Sequence, residues 1–76
     1  MNKVFIAKAI EQNFDNVYST VKAFSTFEKA KEWAEENIKA NQEYYPNGKL
    51  VSGKDYFYYS AGWVNFEITI EETEVM

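Results

Sequence analysis

Trp63-Val64-Asn65-Phe66-Glu67-Ile68-Thr69-Ile70-Glu71 alternates apolar and polar residues along its length. Successive side chains of an extended chain point to opposite faces. Val64, Phe66, Ile68 and Ile70 therefore share one face, and Asn65, Glu67, Thr69 and Glu71 share the other. A strand so divided belongs to a sheet with one side covered, and the rest of the chain has to supply the neighbouring strands and the cover.

Working backwards, Ser60-Ala61-Gly62 can turn the chain as a loop of three to four residues with Gly62 at positive φ. Tyr56-Phe57-Tyr58-Tyr59 precedes it and reads as a strand, with Tyr56 and Tyr58 on one face and Phe57 and Tyr59 on the other. Residues 49–54 read as a loop or a short extended piece around Leu50-Val51. Asn47-Gly48 is a turn signal, and Pro46 disfavours helix at Tyr45.

The cover lies upstream. Phe27, Ala30, Ala34 and Ile38 form an apolar stripe at spacings of three and four, with Trp33 at its edge. The opposite face alternates Lys29, Lys31, Glu32, Glu35, Glu36 and Lys39, and the helix should run to about Glu43. Two alanines in the stripe imply a close approach to the sheet. Ser25-Thr26-Phe27-Glu28 supplies a helix start of the capping-box type, with Ser25 as the expected cap. Before it, residues 17–24 are β-branched and aromatic enough for a strand, and residues 3–10 read as another with Val4, Ile6 and Ile10 on one face. Residues 11–16 are turn-rich, so these two strands should form an antiparallel hairpin, with Phe14 as a lid over the core or an exposed anchor. Glu72 to Met76 should fray.

The expected fold is α+β, one domain over residues 1–76. Its order is β-β-α-β-β: a four-stranded, mainly antiparallel sheet with one helix packed on one face. A chain of 76 residues buries only about 60% of the surface its unfolded form exposes. Without Cys or His, neither a disulfide nor a zinc site can reinforce the core. Six Phe, six Tyr and two Trp make up the deficit, since each can bury roughly 150–250 Å².

The same absences narrow the function. No His and no Cys remove the usual general base near neutral pH and the strongest nucleophile. Gly48, Gly53 and Gly62 are scattered through turns and form no phosphate cradle. Asn13, Asp15 and Asn16 offer oxygen donors in one loop, yet lack the charge and the bidentate Glu of a calcium loop. The acidic pairs lie on solvated faces or point apart. The chain therefore reads as a non-enzyme without metal or cofactor.

Twelve acids oppose eight bases, all of them Lys, for a net charge of −4. That balance argues against nucleic-acid binding and against anionic membrane surfaces. The apolar run Val4–Ile10 is interrupted by Lys8 and is far shorter than the roughly 20 residues needed to cross a bilayer, so a cytoplasmic protein is expected. Residues 49–76 carry Lys49 and Lys54 against Asp55, Glu67, Glu71, Glu72 and Glu74, which could complement a basic surface.

The stretch Val21-Lys-Ala-Phe-Ser-Thr-Phe-Glu-Lys-Ala-Lys-Glu-Trp-Ala34 resembles a pattern of short uncharacterised proteins of Gram-positive bacteria and their phages: a strand, a Ser/Thr cap, Glu-Lys-Ala and an aromatic one turn on. That resemblance implies a small accessory or host-directed inhibitory protein of a phage or mobile element. It carries over no catalytic residue.

One helix covers one face of a sheet, so the other face needs a partner or faces water. The aromatic run beside it nominates Tyr56, Phe57, Tyr58, Tyr59 and Trp63 as an interaction surface, with one of the two strand pairs exposed. Two functions follow: a protein-interaction domain for another protein, or a structural homo-oligomer that dimerises through the open sheet face.

Overall fold

The computed structural model describes residues 2–75. The chain forms strands β1 (Asn2–Asn13) and β2 (Asn16–Phe24), helix α1 (Phe27–Tyr44), and strands β3 (Lys49–Ser52), β4 (Tyr56–Ala61) and β5 (Val64–Val75). All five strands join one antiparallel sheet in the order β2-β1-β5-β4-β3. The α+β class and the single helix on one face hold, but the sheet has five strands where four were expected. Lys49–Ser52 is the addition. It pairs with Phe57–Ser60, and its Leu50-Val51 core is too short to announce a strand by periodicity.

Two further boundaries move outward. β1 continues through Glu11, Gln12 and Asn13, so the first loop is only Phe14-Asp15, and the polar residues expected to turn instead pair across the ladder with Val17, Tyr18 and Asn16. The expected fraying after Glu71 is not observed up to Val75: Glu72, Thr73, Glu74 and Val75 pair with Phe5, Val4, Lys3 and Asn2. Met76 lies outside the described residues. Hydrogen bonds to a neighbouring strand, rather than side-chain polarity, decide both limits. The last hairpin is also tighter than expected, with a two-residue loop, Gly62-Trp63, that opens on Gly62 at φ 61°.

The core forms where α1 lies on the sheet. Val64, Phe66, Ile68 and Ile70 are buried as their alternation requires, with Phe57 and Tyr59 beside them on β4. The helix contributes Ala30, Ala34 and Ile38, and β1 contributes Ala7 and Ala9. Phe5 stacks on Phe27 with ring centroids 6.1 Å apart, and its cross-strand partner Phe24 packs against Trp33 at 5.8 Å, so both pairs join the helix to the β1–β2 side of the sheet. Val4, Ile6 and Ile10 share a face, as read from the sequence, but it is the face away from the helix. Ala30 and Ala34 of the helix and Ala7 and Ala9 of β1 belong to one buried cluster, where small side chains let the helix lie close to the sheet.

The helix cap is Thr26, whose Oγ1 accepts from the Lys29 N–H at 3.2 Å. Ser25, the expected cap, instead lies 3.5 Å from the Lys29 ammonium. The chain offers two adjacent hydroxyls, and the extended backbone of Thr26 (φ −134°, ψ 155°) places the second at the cap.

Candidate functional site: the uncovered face of the sheet

Among the described residues nothing covers the sheet face opposite α1, and the register sets out what it displays. One row runs Ser19, Ile10, Glu67, Tyr58, Val51 across the five strands, and the next brings Val21, Lys8, Thr69 and Tyr56 into line. An aliphatic half on β1 and β2 thus lies beside an aromatic half on β3 and β4. The polar side chains of β5 run between them. Ile10, Val17, Val21, Val51, Tyr56 and Tyr58 are all exposed.

The five nominated residues divide. Phe57 and Tyr59 are core, at 6% and 2% exposure, so they cannot belong to a surface of the folded chain. Tyr56 and Tyr58, at 42% and 37%, lie on the open face. Trp63 is 78% exposed, but in the β4–β5 loop at the end of the sheet, not beside the tyrosine pair. Its neighbour there is the β1–β2 loop, because Asn13 pairs with both Asn16 and Val64. That loop carries Phe14, which is no lid over the core: it is 69% exposed, at φ 54°.

Local contacts position the two tyrosines. Gly53 lies directly under the Tyr56 ring: a Cβ at that position would come within 2.2 Å of it. The Gly53 N–H donates to the Tyr56 carbonyl at 3.0 Å, closing the β3–β4 turn beneath the side chain. Tyr58 donates its hydroxyl to Asn65 Oδ1 at 3.1 Å, and Ser60 donates to the same oxygen at 3.0 Å. The rings keep their surfaces open while their orientation is set from below.

The electrostatic character comes from β5. Glu67 stands directly across from Tyr58 and forms no ion pair among the described residues. Glu71 lies 3.8 Å from Lys8, and both side chains are more than half exposed, so that pair contributes little. Lys8, Asp55, Tyr56, Tyr58, Glu67 and Glu71 line one open depression, in which three carboxylates meet one ammonium. Aromatic rings beside unpaired carboxylates suit a cationic side chain, which gains cation–π attraction from the ring and a charge-assisted hydrogen bond from the acid.

The acidic members were legible in the alternation of Asn65, Glu67, Thr69 and Glu71, although they were not joined to the tyrosines. The aliphatic half was missed. Val17 and Val21 are four residues apart on a strand and so share a face, which the same period-two count identifies. Asn13, Asp15 and Asn16 are ladder and turn residues, and no group of three or more Asp or Glu converges as a ligand set among the described residues. No known protein family, curated protein or solved structure matches the chain, so the candidate site stands on its geometry.

Proposed function

We propose that this chain is a non-enzymatic protein-interaction domain whose uncovered sheet face, centred on Tyr56 and Tyr58, receives a protein partner presenting Arg or Lys beside apolar side chains. The observation that carries the reading is the pairing of exposed rings with an excess of carboxylates: Tyr58 opposite Glu67, which has no ion pair among the described residues, with Tyr56 and Glu71, the latter weakly paired to Lys8, in the same depression. Tyrosine is enriched among residues that dominate binding energy, and the acids favour a partner of opposite charge. A cytoplasmic setting suits a chain without Cys, and the accessory or host-directed role implied by the Val21–Ala34 pattern would make the partner a host protein.

The test compares the wild-type chain with Tyr56→Ala/Tyr58→Ala and Glu67→Lys/Glu71→Lys variants as baits in host lysate. One protein retained at stoichiometric yield by the wild type and lost from both variants supports the reading. Identical retention by all three baits, with the variants folded by circular dichroism, would overturn it.

A further inference from the structure

The two edges of the sheet are built differently. At one edge, β3 has four residues, begins at Lys49 and is followed closely by Lys54. Short, lysine-marked edges resist the addition of another strand. At the other edge, β2 has nine residues, and those from Asn16 to Ala23 are all exposed. It contains no Pro and no acid, and its one charge is Lys22. Its register with β1 runs unbroken from Asn13↔Asn16 to Phe5↔Phe24, so no bulge twists it away. The helix does not shield it either, since Tyr18, Thr20 and Lys22 are exposed although they point to the helix side. The outer backbone groups of β2 therefore form an uninterrupted row roughly 30 Å long at about 3.4 Å per residue, unpaired among the described residues.

We propose that this row pairs with β2 of a second copy, antiparallel about a two-fold axis through Ser19 and perpendicular to the sheet, giving one continuous ten-stranded sheet. The strand's own sequence argues for that occupant. A two-fold axis at Ser19 sets Val17 opposite Val21, Tyr18 opposite Thr20 and Asn16 opposite Lys22. Val17 and Val21 are each 64% exposed in the isolated chain, and the symmetry turns them into two β-branched cross-strand pairs on the open face. The two Lys22 residues lie at opposite ends of the joint, so it holds no like-charge contact despite the net charge of −4. An axis at Thr20 would instead set Val17 against Ala23 and Val21 against Ser19, losing both valine pairs.

This pairing is independent of the partner proposed above. The axis keeps both open faces on the same side of the joint, and Tyr56 and Tyr58 lie three strands away from it. The dimer would present two tyrosine–carboxylate sites on one surface.

Sedimentation velocity over a wide concentration range tests the proposal. Wild type and Tyr56→Ala/Tyr58→Ala should both sediment as dimers, and Ser19→Lys, which sets two ammonium groups face to face on the axis, as a monomer with an unchanged circular dichroism spectrum. The chain has no cysteine, so Ser19→Cys introduces one thiol. Under mild oxidation it should cross-link at least about tenfold faster than Ser25→Cys, an exposed position off the edge, because pairing raises the local thiol concentration. A monomeric wild type, an undiminished Ser19→Lys dimer, or equal cross-linking by the two cysteine variants would each overturn the proposal.

Discussion

Tyr58 and Tyr59 are neighbours in sequence, yet their hydroxyls do different work. The Tyr59 hydroxyl donates to the Tyr45 carbonyl and accepts from the Gly48 N–H at 3.0 Å, which ties the helix exit and the start of β3 to the core. Gly48 is required beneath that contact, since a Cβ there would reach the Tyr59 ring at 2.2 Å. Tyr59→Phe strips two backbone groups of a partner in a half-buried place and should cost about 1–3 kcal/mol in urea unfolding. Tyr58→Phe loses one exposed hydrogen bond and should stay within about 0.5 kcal/mol of wild type. Equal losses would mean that the Tyr59 hydroxyl does not hold the loop. Phe14 makes a second residue-scale case. It opens a two-residue hairpin loop at positive φ, the place that Gly62 fills in the sister hairpin. A left-handed conformation costs a residue with a Cβ roughly 1–2 kcal/mol, so Phe14→Gly should raise the melting temperature by about 4–8 °C for each kcal/mol recovered. A lower melting temperature would show that the exposed ring contributes more to the fold than its backbone strain costs.

Helix α1 shows what an element needs from each of its sides. Its cap distinguishes two adjacent hydroxyls: Thr26→Ala should destabilise by about 0.5–2 kcal/mol, while Ser25→Ala should be nearly silent, as thermal melts of the two variants would show. The reverse order would restore Ser25 as the cap. The buried side was legible in the sequence because Ala30, Ala34 and Ile38 repeat at helical spacing, and β5 was legible because its alternation is uninterrupted. β3 was not, since four residues show barely one hydrophobic repeat, and its strand state depends on β4 lying beside it. The polar end of β1 was hidden for a related reason: Glu11, Gln12 and Asn13 have turn-like composition but lie between β2 and β5, which satisfy their backbone from both sides. The site was half legible on the same terms. Period two separated Tyr56 and Tyr58 from Phe57 and Tyr59, but which pair faces the helix depends on the register with β5, set by contacts distant in sequence.

For the whole molecule, the one-helix, one-sheet arrangement would place stability on one face of the sheet and the proposed recognition on the other. The total stability of a chain of 76 residues is about 4–11 kcal/mol, at roughly 0.05–0.15 kcal/mol per residue. Phe57 and Tyr59 lie in the cluster with Phe66, Ile68 and the helix alanines, and truncating an aromatic ring there removes about 3–5 kcal/mol. The Phe57→Ala/Tyr59→Ala variant therefore loses about as much as the whole fold has, and it should be unfolded at 25 °C by near-ultraviolet circular dichroism. Tyr56 and Tyr58 lie on the same strand but keep much of their surface in water, so removing them forfeits far less burial. The Tyr56→Ala/Tyr58→Ala variant should unfold cooperatively with a loss of no more than about 2 kcal/mol, and the same variant should lose the partner. A chain this small has little stability to spare, and a recognition surface on the uncovered face can change without drawing on it. If the exposed pair proved as costly to remove as the buried pair, the open face would be contributing to the fold, and the separation of the two faces would fail.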